Sequence, residues 1–370
     1  MSCFGKTFRM TLFGESHGKV VGTVVDGCPA GLPLGLEDIQ QELDRRRPGG
    51  HLASARNEKD IVRIFDGTFN DRTAGGPIVM AICNEDVDSS WYFENRYLPR
   101  PGHSDYTAFE KYMGFNDFRG GGFFSGRMTA GIVMAGAIAK KLLARSGIKI
   151  AAHVVQIGCV KADSASRGKM TTADLEDLAE DASSSAVSCA DKGKSDLMVA
   201  EIERAISSGD SLGGKIECIA TGLPVGVGEP VFDSIESVIA HGILSIPAMK
   251  GIEFGSGFDL CGMRGSEAND AFLVDNGRVR TKTNNSGGVL GGITDGMPLV
   301  FRVAAKPTPS ISKLQESIDL RTMERADMRI GGRHDPCIAV RAVPVIEAMT
   351  AICIADLMII AQKIPKTLGD

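Results

Sequence analysis

One strand–turn–helix unit occurs twice in the chain, and this repeat constrains the fold more than any other feature. In each copy a Gly-Lys pair is followed by a strand-forming run, a turn of pattern Gly-x-Pro-x-Gly and an amphipathic helix. The first copy has Gly18-Lys19 and the turn Gly27–Gly31, and the second has Gly214-Lys215 and the turn Gly222–Gly226. The copies lie about 196 residues apart. Such a duplication predicts two similar halves around a shared core. We therefore expect one domain over residues 1–370, with halves of about 1–150 and 195–370.

Hydrophobic periodicity predicts the individual elements. Strands are expected at 8–13, 20–26, 60–65, 76–83, 149–157 and 298–304, and helices at 36–47, 128–144, 233–244, from Ser195 onward and from near Pro344 onward. Residues 164–195 are polar and rich in Ser and Asp, which indicates an insertion or a mobile region. His153, inside a predicted strand, is most simply a structural residue.

Composition limits the possible partners. The net charge of −5 argues against a nucleic-acid-binding surface, so we expect a small-molecule partner. The nine cysteines include no CxxC pair, which favours reduced thiols and no metal site. The apolar run Met128–Ala139 is too short to cross a membrane, and Met1–Lys6 is not an export signal. These observations predict a cytoplasmic protein that does not bind a membrane.

The stretch Pro101–Arg127 has the composition of a site. Pro101-Gly-His-Ser-Asp105 is followed by Arg119-Gly-Gly-Gly122 and Ser125-Gly-Arg127, which places a histidine, a carboxylate, two arginines and several glycines within 27 residues. Glycines let backbone N–H groups approach an anion. The alternative is a surface loop with solvated charges.

Two further loops carry proton-transfer candidates. His17 lies between small residues at the end of a predicted strand, and Gly331–Cys337 contains adjacent Arg, His and Asp residues. Together with His103, His17 and Asp335 are therefore candidate acids and bases. A structural histidine and a simple turn are the respective alternatives.

Cationic loops predict anion binding. Arg45-Arg46-Arg47 ends a predicted helix and Arg56 follows it, so these side chains either bind a carboxylate or phosphate or simply complement the helix dipole. Asn284–Gly292 and Lys306–Ser310 have a similar character, with a hairpin and an extended exit as the alternative. No Walker loop, strand–GxGxxG–helix unit, HExxH motif or Ser-His-Asp pattern is present.

Six ordered motifs resemble the chorismate synthase family: Gly14-Glu-Ser-His-Gly18, Asp44-Arg-Arg-Arg-Pro-Gly49, Pro101-Gly-His-Ser-Asp-Tyr106, Arg119-Gly-Gly-Gly122, Asn285-Ser-Gly-Gly288 and Gly332-Arg-His-Asp-Pro-Cys337. The resemblance runs from near residue 5 to about residue 360. It implies an α+β fold, a β–α–β sandwich with helices between antiparallel sheets, assembled as a homotetramer. It also implies the anti-1,4-elimination of phosphate from 5-enolpyruvylshikimate 3-phosphate, with reduced FMN required.

The resemblance also implies residue roles. His17 would protonate the leaving phosphate, His103 would protonate the reduced flavin, and Asp335 would help to deprotonate flavin N5. Arg46 matches a substrate-site arginine, with Arg45, Arg56 and Arg127 as neighbours. The flavin contacts would be Phe123, Phe124, Ser125, Pro247, Ala248, Gly291, Lys306, Pro307, Thr308, Pro309, Ser310 and Arg333.

The chain departs from the family pattern at two positions. Phe123 stands where the family usually has a cation, and His51 stands where an arginine is common, in a loop one residue shorter than in many relatives. Two rival functions follow: an enzyme that also reduces flavin with NADPH, and an inactive protein that binds flavin or substrate without releasing phosphate.

Overall fold

The structure, a computed structural model, describes residues 2–47, 52, 59–85, 87–164, 170–331 and 334–369. Its helices are α1 (Leu36–Arg46), α2 (Ser90–Glu94), α3 (Asp105–Lys111), α4 (Thr129–Ala144), α5 (Thr172–Ser184), α6 (Lys192–Ser207), α7 (Ile235–Ser245), α8 (Gly265–Ala268) and α9 (Ala339–Ile360). Short 3-10 segments cover Arg119–Phe124, Gly126–Met128, Val231–Asp233 and Gly257–Gly262.

The strands form two larger sheets and several two-stranded ribbons. They are β1 (Cys3–Phe4), β2 (Arg9–Gly14), β3 (Val20–Asp26), β4 (Val62–Asp66), β5 (Thr68–Phe69), β6 (Arg72–Thr73), β7 (Ile78–Cys83), β8 (Lys149–Ile157), β9 (Val160–Lys161), β10 (Gly214–Thr221), β11 (Met249–Phe254), β12 (Phe272–Asp275), β13 (Arg278–Thr281), β14 (Val289–Leu290), β15 (Ile293–Thr294), β16 (Leu299–Ala305), β17 (Gln315–Asp319) and β18 (Glu324–Met328).

Strands from residues 3–83 form one five-stranded antiparallel sheet, and strands from residues 149–305 form the other. The first has the order β1-β2-β3-β7-β4 and the second has the order β11-β16-β10-β8-β9. Both units of the sequence repeat occupy corresponding places, because β3 leads through a turn to α1 and β10 leads through a turn to α7. The turn glycines also match in conformation: φ is +79° at both Gly27 and Gly222, a region that favours glycine. The two units thus have the same local conformation at this turn glycine, and the duplication stays a prediction.

A layer of helices lies between the two sheets. α4 packs on β3 of the first sheet, α9 packs on β8 of the second, and the two helices pack against each other. Their close approach depends on small residues, because a Cβ at Gly136 would stand 2.2 Å from the Cβ of Ala348. The fold is therefore the α+β sandwich that the resemblance predicts.

Helix α9 runs through the centre of this layer. By length and composition it could cross a membrane, but 94% of its most apolar window is buried inside the protein, as in the core helix of a globular domain. It begins at Ala339, five residues before the predicted start at Pro344, which lies in its second turn. Tertiary packing there outweighs the single helical hydrogen bond that the proline removes.

The region 164–195 contains a helix in its described part. Within its described part, α5 begins at a capping box in which Thr171 and Asp174 exchange hydrogen bonds. Leu175 and Leu178 of this helix pack with Ile219 on the outer face of the second sheet. Part of the region that the sequence assigns to an insertion or a mobile segment thus forms a packed helix.

His153 is structural, as predicted. It lies opposite Glu217 in the β8–β10 ladder, and its Nε2 is 3.3 Å from a carboxylate oxygen of Glu217. Arg302, opposite Glu217 in the β10–β16 ladder, reaches the other oxygen at 3.2 Å. A polar row therefore crosses the outer face of this sheet, away from the candidate site.

Candidate active site

A cavity of about 720 Å³ opens where loops from both halves of the chain meet. Its walls come from the glycine run after α3, the junction of α7 and β11, the loop after β16 and the first turns of α9. Many residues predicted from the sequence line it: Arg46, His103, Phe123, Phe124, Ser125, Arg127, Pro247, Ala248, Lys306, Thr308, Pro309, Ser310 and Asp335. Segments far apart along the chain thus converge on one volume.

The lining is strongly cationic. Among the described residues it contains two carboxylates, Asp60 and Asp335, and six cationic side chains: Arg46, Arg100, Arg127, Lys250, Lys306 and Arg341. Apolar side chains form another part of the wall, including Leu244, Ile246, Ile338 and Val345. A cavity of this kind suits an anionic ligand that also has a ring or another apolar surface.

Arg46 and Arg127 share one buried carboxylate. Nη1 of Arg46 lies 3.4 Å from Oδ2 of Asp60, and Nη1 of Arg127 donates to Oδ1 of the same residue. Arg46 also donates to Oγ1 of Thr129 at 3.0 Å and to the carbonyl of Gly126 at 2.9 Å. These contacts hold both guanidinium groups in place before a ligand arrives.

Arg46 is buried beside two other cations, Arg127 and Arg341, as well as beside Asp60. Burial, followed by the nearby cation Arg341, lowers the pKa of Arg46 to about 9 in spite of the two aspartates close by. A bound anion would stabilise the charged form of this arginine. The position is therefore suited to a carboxylate or a phosphate.

Asp335 is held by the first turn of α9 and by the loop after β16. Its Oδ2 accepts from Nη1 of Arg341 at 2.6 Å, and its carbonyl accepts from Oγ1 of Thr308 at 2.7 Å. Nε of Arg341 lies 3.3 Å from the carbonyl of Arg46, to which it donates. One arginine thus links the predicted acid–base residue to the predicted anion-binding helix.

His103 faces the same cavity beside a carboxylate. Its Nδ1 is 2.6 Å from Oδ1 of Asp105, and Asp105 is itself held by Arg100. Burial alone would raise the pKa of Asp105, but hydrogen bonds from Arg100 and His103 outweigh it and hold that pKa well below its usual range. Asp105 is therefore ionised at neutral pH.

His17 lies behind the cavity wall and does not line it. Its Nδ1 is 2.9 Å from Oγ of Ser89, and its ring packs edge-on against Tyr92 with 5.3 Å between centroids. The opposite edge of the ring faces Gly120, since a Cβ there would stand 2.5 Å from Nε2. Tyr92 and Gly120 are lining residues, so one layer separates His17 from the cavity.

Some predicted positions lie elsewhere. Arg45 points away from the cavity: its guanidinium makes a bidentate pair with the buried Glu347, at 2.6 and 3.0 Å. Gly291 is an exposed turn residue of the β14–β15 hairpin, and Pro307 is exposed beside lining residues that flank it. Neither lines the cavity in this chain. Arg56, Arg333 and His51 lie outside the described residues.

Other lining residues were not predicted from the sequence. Those with charged or aromatic side chains include Asp60, Tyr92, Arg100, Lys250 and Arg341. Arg100 immediately precedes the Pro-Gly-His motif and Arg341 follows Asp335 within six residues, so proximity to a motif is a usable signal for these two. Asp60, Tyr92 and Lys250 have no comparable signal in the sequence.

The fold and the cavity are those of an enzyme suited to a small anionic molecule. The family model for chorismate synthase matches residues 8–359. The curated chorismate synthase of Dehalococcoides mccartyi is 50% identical to this chain, and the match covers 98% of both proteins. The curated chorismate synthase of Korarchaeum cryptofilum is 51% identical, over 95% of this chain and 96% of the relative. A crystal structure of chorismate synthase superposes with a TM-score of 0.76 at 31% identity, covering 96% of this chain and 92% of that one.

The chain belongs to the chorismate synthase family. It is accordingly a lyase that makes chorismate in the shikimate pathway. The recognition, the fold class and the reaction expected from the six motifs are confirmed.

Proposed function

We propose that the cavity holds the substrate 5-enolpyruvylshikimate 3-phosphate together with reduced FMN, and that His103, Asp335 and His17 move the protons of the elimination. One observation carries this proposal: His103 and Asp335 line the same cavity as Arg46 and Arg127. The substrate has two carboxylates and a phosphate, and the flavin adds another phosphate. A cationic cavity within an acidic protein is suited to binding these groups.

The family uses reduced flavin, and the residues present fit such a group. The lining combines aromatic and apolar side chains at Phe123, Phe124 and Pro247 with the cation and hydroxyls of the Lys306–Ser310 loop. A planar ring and a phosphate tail require this combination. Of the residues expected to hold FMN, we keep Phe123, Phe124, Ser125, Pro247, Ala248, Lys306, Thr308, Pro309 and Ser310. When bound, reduced FMN would lend the substrate an electron to assist cleavage of the C–O bond and would regain it as the ring proton leaves.

The chain's own residues position the substrate and handle the protons. Arg46 and Arg127 bind anionic groups of the substrate through fixed guanidinium groups. His103 lines the cavity, Asp335 offers a carboxylate held by Arg341, and His17 lies one layer behind the wall, against Gly120. We assign His17 to the leaving phosphate, since a protonated phosphate is a better leaving group.

The experiment is anaerobic incubation with dithionite-reduced FMN and the substrate, following phosphate release and chorismate absorbance. We expect turnover by the wild-type chain, none above background for His103→Ala and at least a tenfold lower kcat for Asp335→Ala. His241→Ala, a change at an exposed histidine outside the cavity, serves as the matched control and is expected to retain the wild-type rate. Wild-type rates for both cavity variants would refute the assignments.

We further propose a cytoplasmic homotetramer. The β12–β13 ribbon supports assembly, because Phe272 is 64% exposed, Val274 76% and Val279 62% in the single chain. Apolar side chains grouped in this way are typical of protein–protein contacts. Light scattering coupled to gel filtration measures the assembly, and a monomer at micromolar concentration would contradict it.

The reductant remains a separate question. NADPH is a candidate source of electrons for the flavin, as in bifunctional members of the family. Anaerobic mixing of the protein, oxidised FMN and NADPH, with flavin absorbance as the readout, tests this directly. Bleaching that depends on the protein would support it, and an unchanged spectrum would assign reduction to another enzyme.

A further inference from the structure

A β-bulge lies at the cavity wall, in β11, which is an edge strand of the second sheet. In the ladder between β11 and β16, Met249 is opposite Ala305 and Gly251 is opposite Ala304. Lys250, between the two, is therefore an extra residue with no partner on β16. A bulge of this kind re-aims a side chain, and bulges are over-represented beside active sites.

Two consecutive residues of this bulge belong to the same cavity wall. Both Met249 and Lys250 line the cavity, although in a regular strand successive side chains point to opposite faces of the sheet. Met249 is 5% exposed and belongs to the core, whereas Lys250 is exposed. The bulge thus lets one short strand contribute both a buried apolar residue and a cation to the wall.

The backbone before the bulge is tied to the loop after β16. Ala248 has a φ of +72°, in the left-handed region that residues with a Cβ seldom adopt. Its carbonyl accepts from the backbone N–H of Lys306 at 3.0 Å. Since neighbouring strands of a sheet lie about 4.8 Å apart, the backbone of Lys250 is close to the start of the Lys306–Ser310 loop.

Lys250 also differs from the other cations of the lining in its contacts. Within the described part of the chain, its ammonium makes no hydrogen bond or ion pair. The other five cations each contact a protein oxygen: Arg46 and Arg127 at Asp60, Arg100 at Asp105, Arg341 at Asp335 and Lys306 at the carbonyl of Gly102. A cation without a protein counter-charge is available to an anionic ligand.

We propose that Lys250 is a phosphate-binding residue of the flavin site, where its ammonium contacts the phosphomonoester of FMN together with Lys306. This inference rests on the proposed FMN site. The substrate has a phosphate of the same chemistry, but position favours the flavin, because the β11–β16 ladder places Lys250 beside the Lys306–Ser310 loop. The arginines proposed for the substrate belong to other elements, since Arg46 ends α1 and Arg127 precedes α4.

A comparison of FMN with riboflavin isolates the phosphate, because the two flavins share the ring and the ribityl chain and only FMN carries the phosphate. Quenching of flavin fluorescence on titration with the protein gives both dissociation constants without any turnover. We expect the wild type to bind FMN more tightly than riboflavin. Lys250→Met keeps an apolar stem and removes the charge, and we expect it to raise the Kd for FMN at least about fivefold while leaving the Kd for riboflavin unchanged.

Two further variants separate the charge from other effects. Lys250→Arg retains a cation and is expected to bind FMN more tightly than Lys250→Met does. Lys363→Met is the matched control, because it removes the same charge at an exposed lysine outside the cavity, and both dissociation constants should stay at their wild-type values. Added salt should weaken FMN binding less in Lys250→Met than in the wild type, since one charge pair fewer is screened.

Several results would overturn the inference. An unchanged Kd for FMN in Lys250→Met would do so, and so would an equal loss of affinity for both flavins, which would indicate packing instead of phosphate recognition. Equal wild-type affinity for the two flavins would likewise refute it. Isothermal titration with 5-enolpyruvylshikimate 3-phosphate covers the second source of phosphate: a loss of substrate affinity with FMN affinity unchanged would assign Lys250 to the substrate and contradict the flavin role.

Failure of the proposed function has a different signature. A wild-type chain that binds neither flavin nor substrate refutes the proposed contents of the cavity. A wild type that binds FMN and releases phosphate, beside a Lys250→Met variant that binds FMN equally well, refutes only the role of Lys250.

Discussion

Gly120 lies directly against the imidazole of His17: a Cβ added at Gly120 would stand 2.3 Å from Cδ2 of the ring. The next residue, Gly121, has the same relationship to His103, with 3.0 Å to Cε1. Each of two consecutive glycines thus makes room for one histidine. Their φ angles of +60° and +82° also lie where side chains are disfavoured.

Gly120→Ala is expected to displace His17 and to lower kcat at least tenfold. The left-handed backbone costs about 1–2 kcal/mol with a Cβ, and the overlap with the ring forces a further shift. Steady-state assays with reduced FMN measure the loss of kcat, and thermal unfolding measures the loss of stability. Gly76→Ala is the control, since no atom lies within 4 Å of the added Cβ and φ is not positive there; equal behaviour of the two variants would contradict the prediction.

Glu347→Gln is expected to lower the free energy of unfolding by about 3–5 kcal/mol, as for other broken buried ion pairs. Glu347 is 2% exposed and accepts from Arg45, from Nζ of Lys140 at 2.6 Å and from the backbone N–H of Ala152 at 3.0 Å. Its loss leaves two cations facing a neutral side chain. Urea unfolding at pH 7 measures the change, and Glu316→Gln at an exposed pair is expected to change stability by less than about 0.5 kcal/mol.

The buried carboxylate of Glu347 is also expected to make the free energy of unfolding depend on pH. Burial alone would raise the pKa of Glu347, but Lys140 and Arg45 outweigh burial and hold it well below the usual range. A depressed carboxyl pKa contributes stability that is complete above the unfolded value, about 4.3, and is lost as the pH falls toward the folded value. The stability gap between wild type and Glu347→Gln should therefore narrow below about pH 4. A gap that stays constant down to the acid transition would contradict this.

Asp356→Ala is expected to loosen the N-terminal turn and to cost about 2–4 kcal/mol. The carboxylate of this α9 residue accepts three backbone N–H groups, from Lys6 at 2.8 Å, Thr7 at 2.6 Å and Phe8 at 2.8 Å. Hydrogen exchange at these amides should accelerate together. Asp275→Ala, in an exposed ribbon, is the control, and unchanged exchange at residues 6–8 in Asp356→Ala would refute the anchoring role.

Phe123→Arg is expected to tighten binding of the phosphorylated substrate by about 1–3 kcal/mol, because it adds a cation at a lining position that is 37% exposed. Isothermal titration at low and high salt measures the gain, which should shrink with salt. Phe123→Leu controls for the loss of the ring alone. Weaker binding in both variants would show instead that the aromatic ring itself contacts the ligand.

Local patterns were sufficient for much of the fold. The predicted strands 20–26 and 149–157 match β3 and β8 residue for residue, because β-branched and apolar runs bounded by turns specify a strand locally. The start of α9 was misplaced because a proline is usually a first-turn residue, and the buried environment that tolerates Pro344 inside the helix comes from distant elements.

The arginines at the end of α1 show why the site was only partly predictable. Arg45 and Arg46 are neighbours in sequence, but successive residues of a helix point about 100° apart. One side chain consequently meets Glu347 in the protein interior and the other meets the cavity. Only the packing of α1 against α4 and α9 decides which of the two arginines faces the cavity and which pairs with Glu347.

By itself the sequence determined the family, the two-sheet sandwich and the loops that carry the chemistry, since motifs and periodicity are local properties of the chain. Tertiary structure alone decided that Asp60 would sit between Arg46 and Arg127, that Arg341 would hold Asp335, and that His17 would stand one layer behind the cavity. These relationships join residues from separate loops, and a chain brings such residues together only by burying its core.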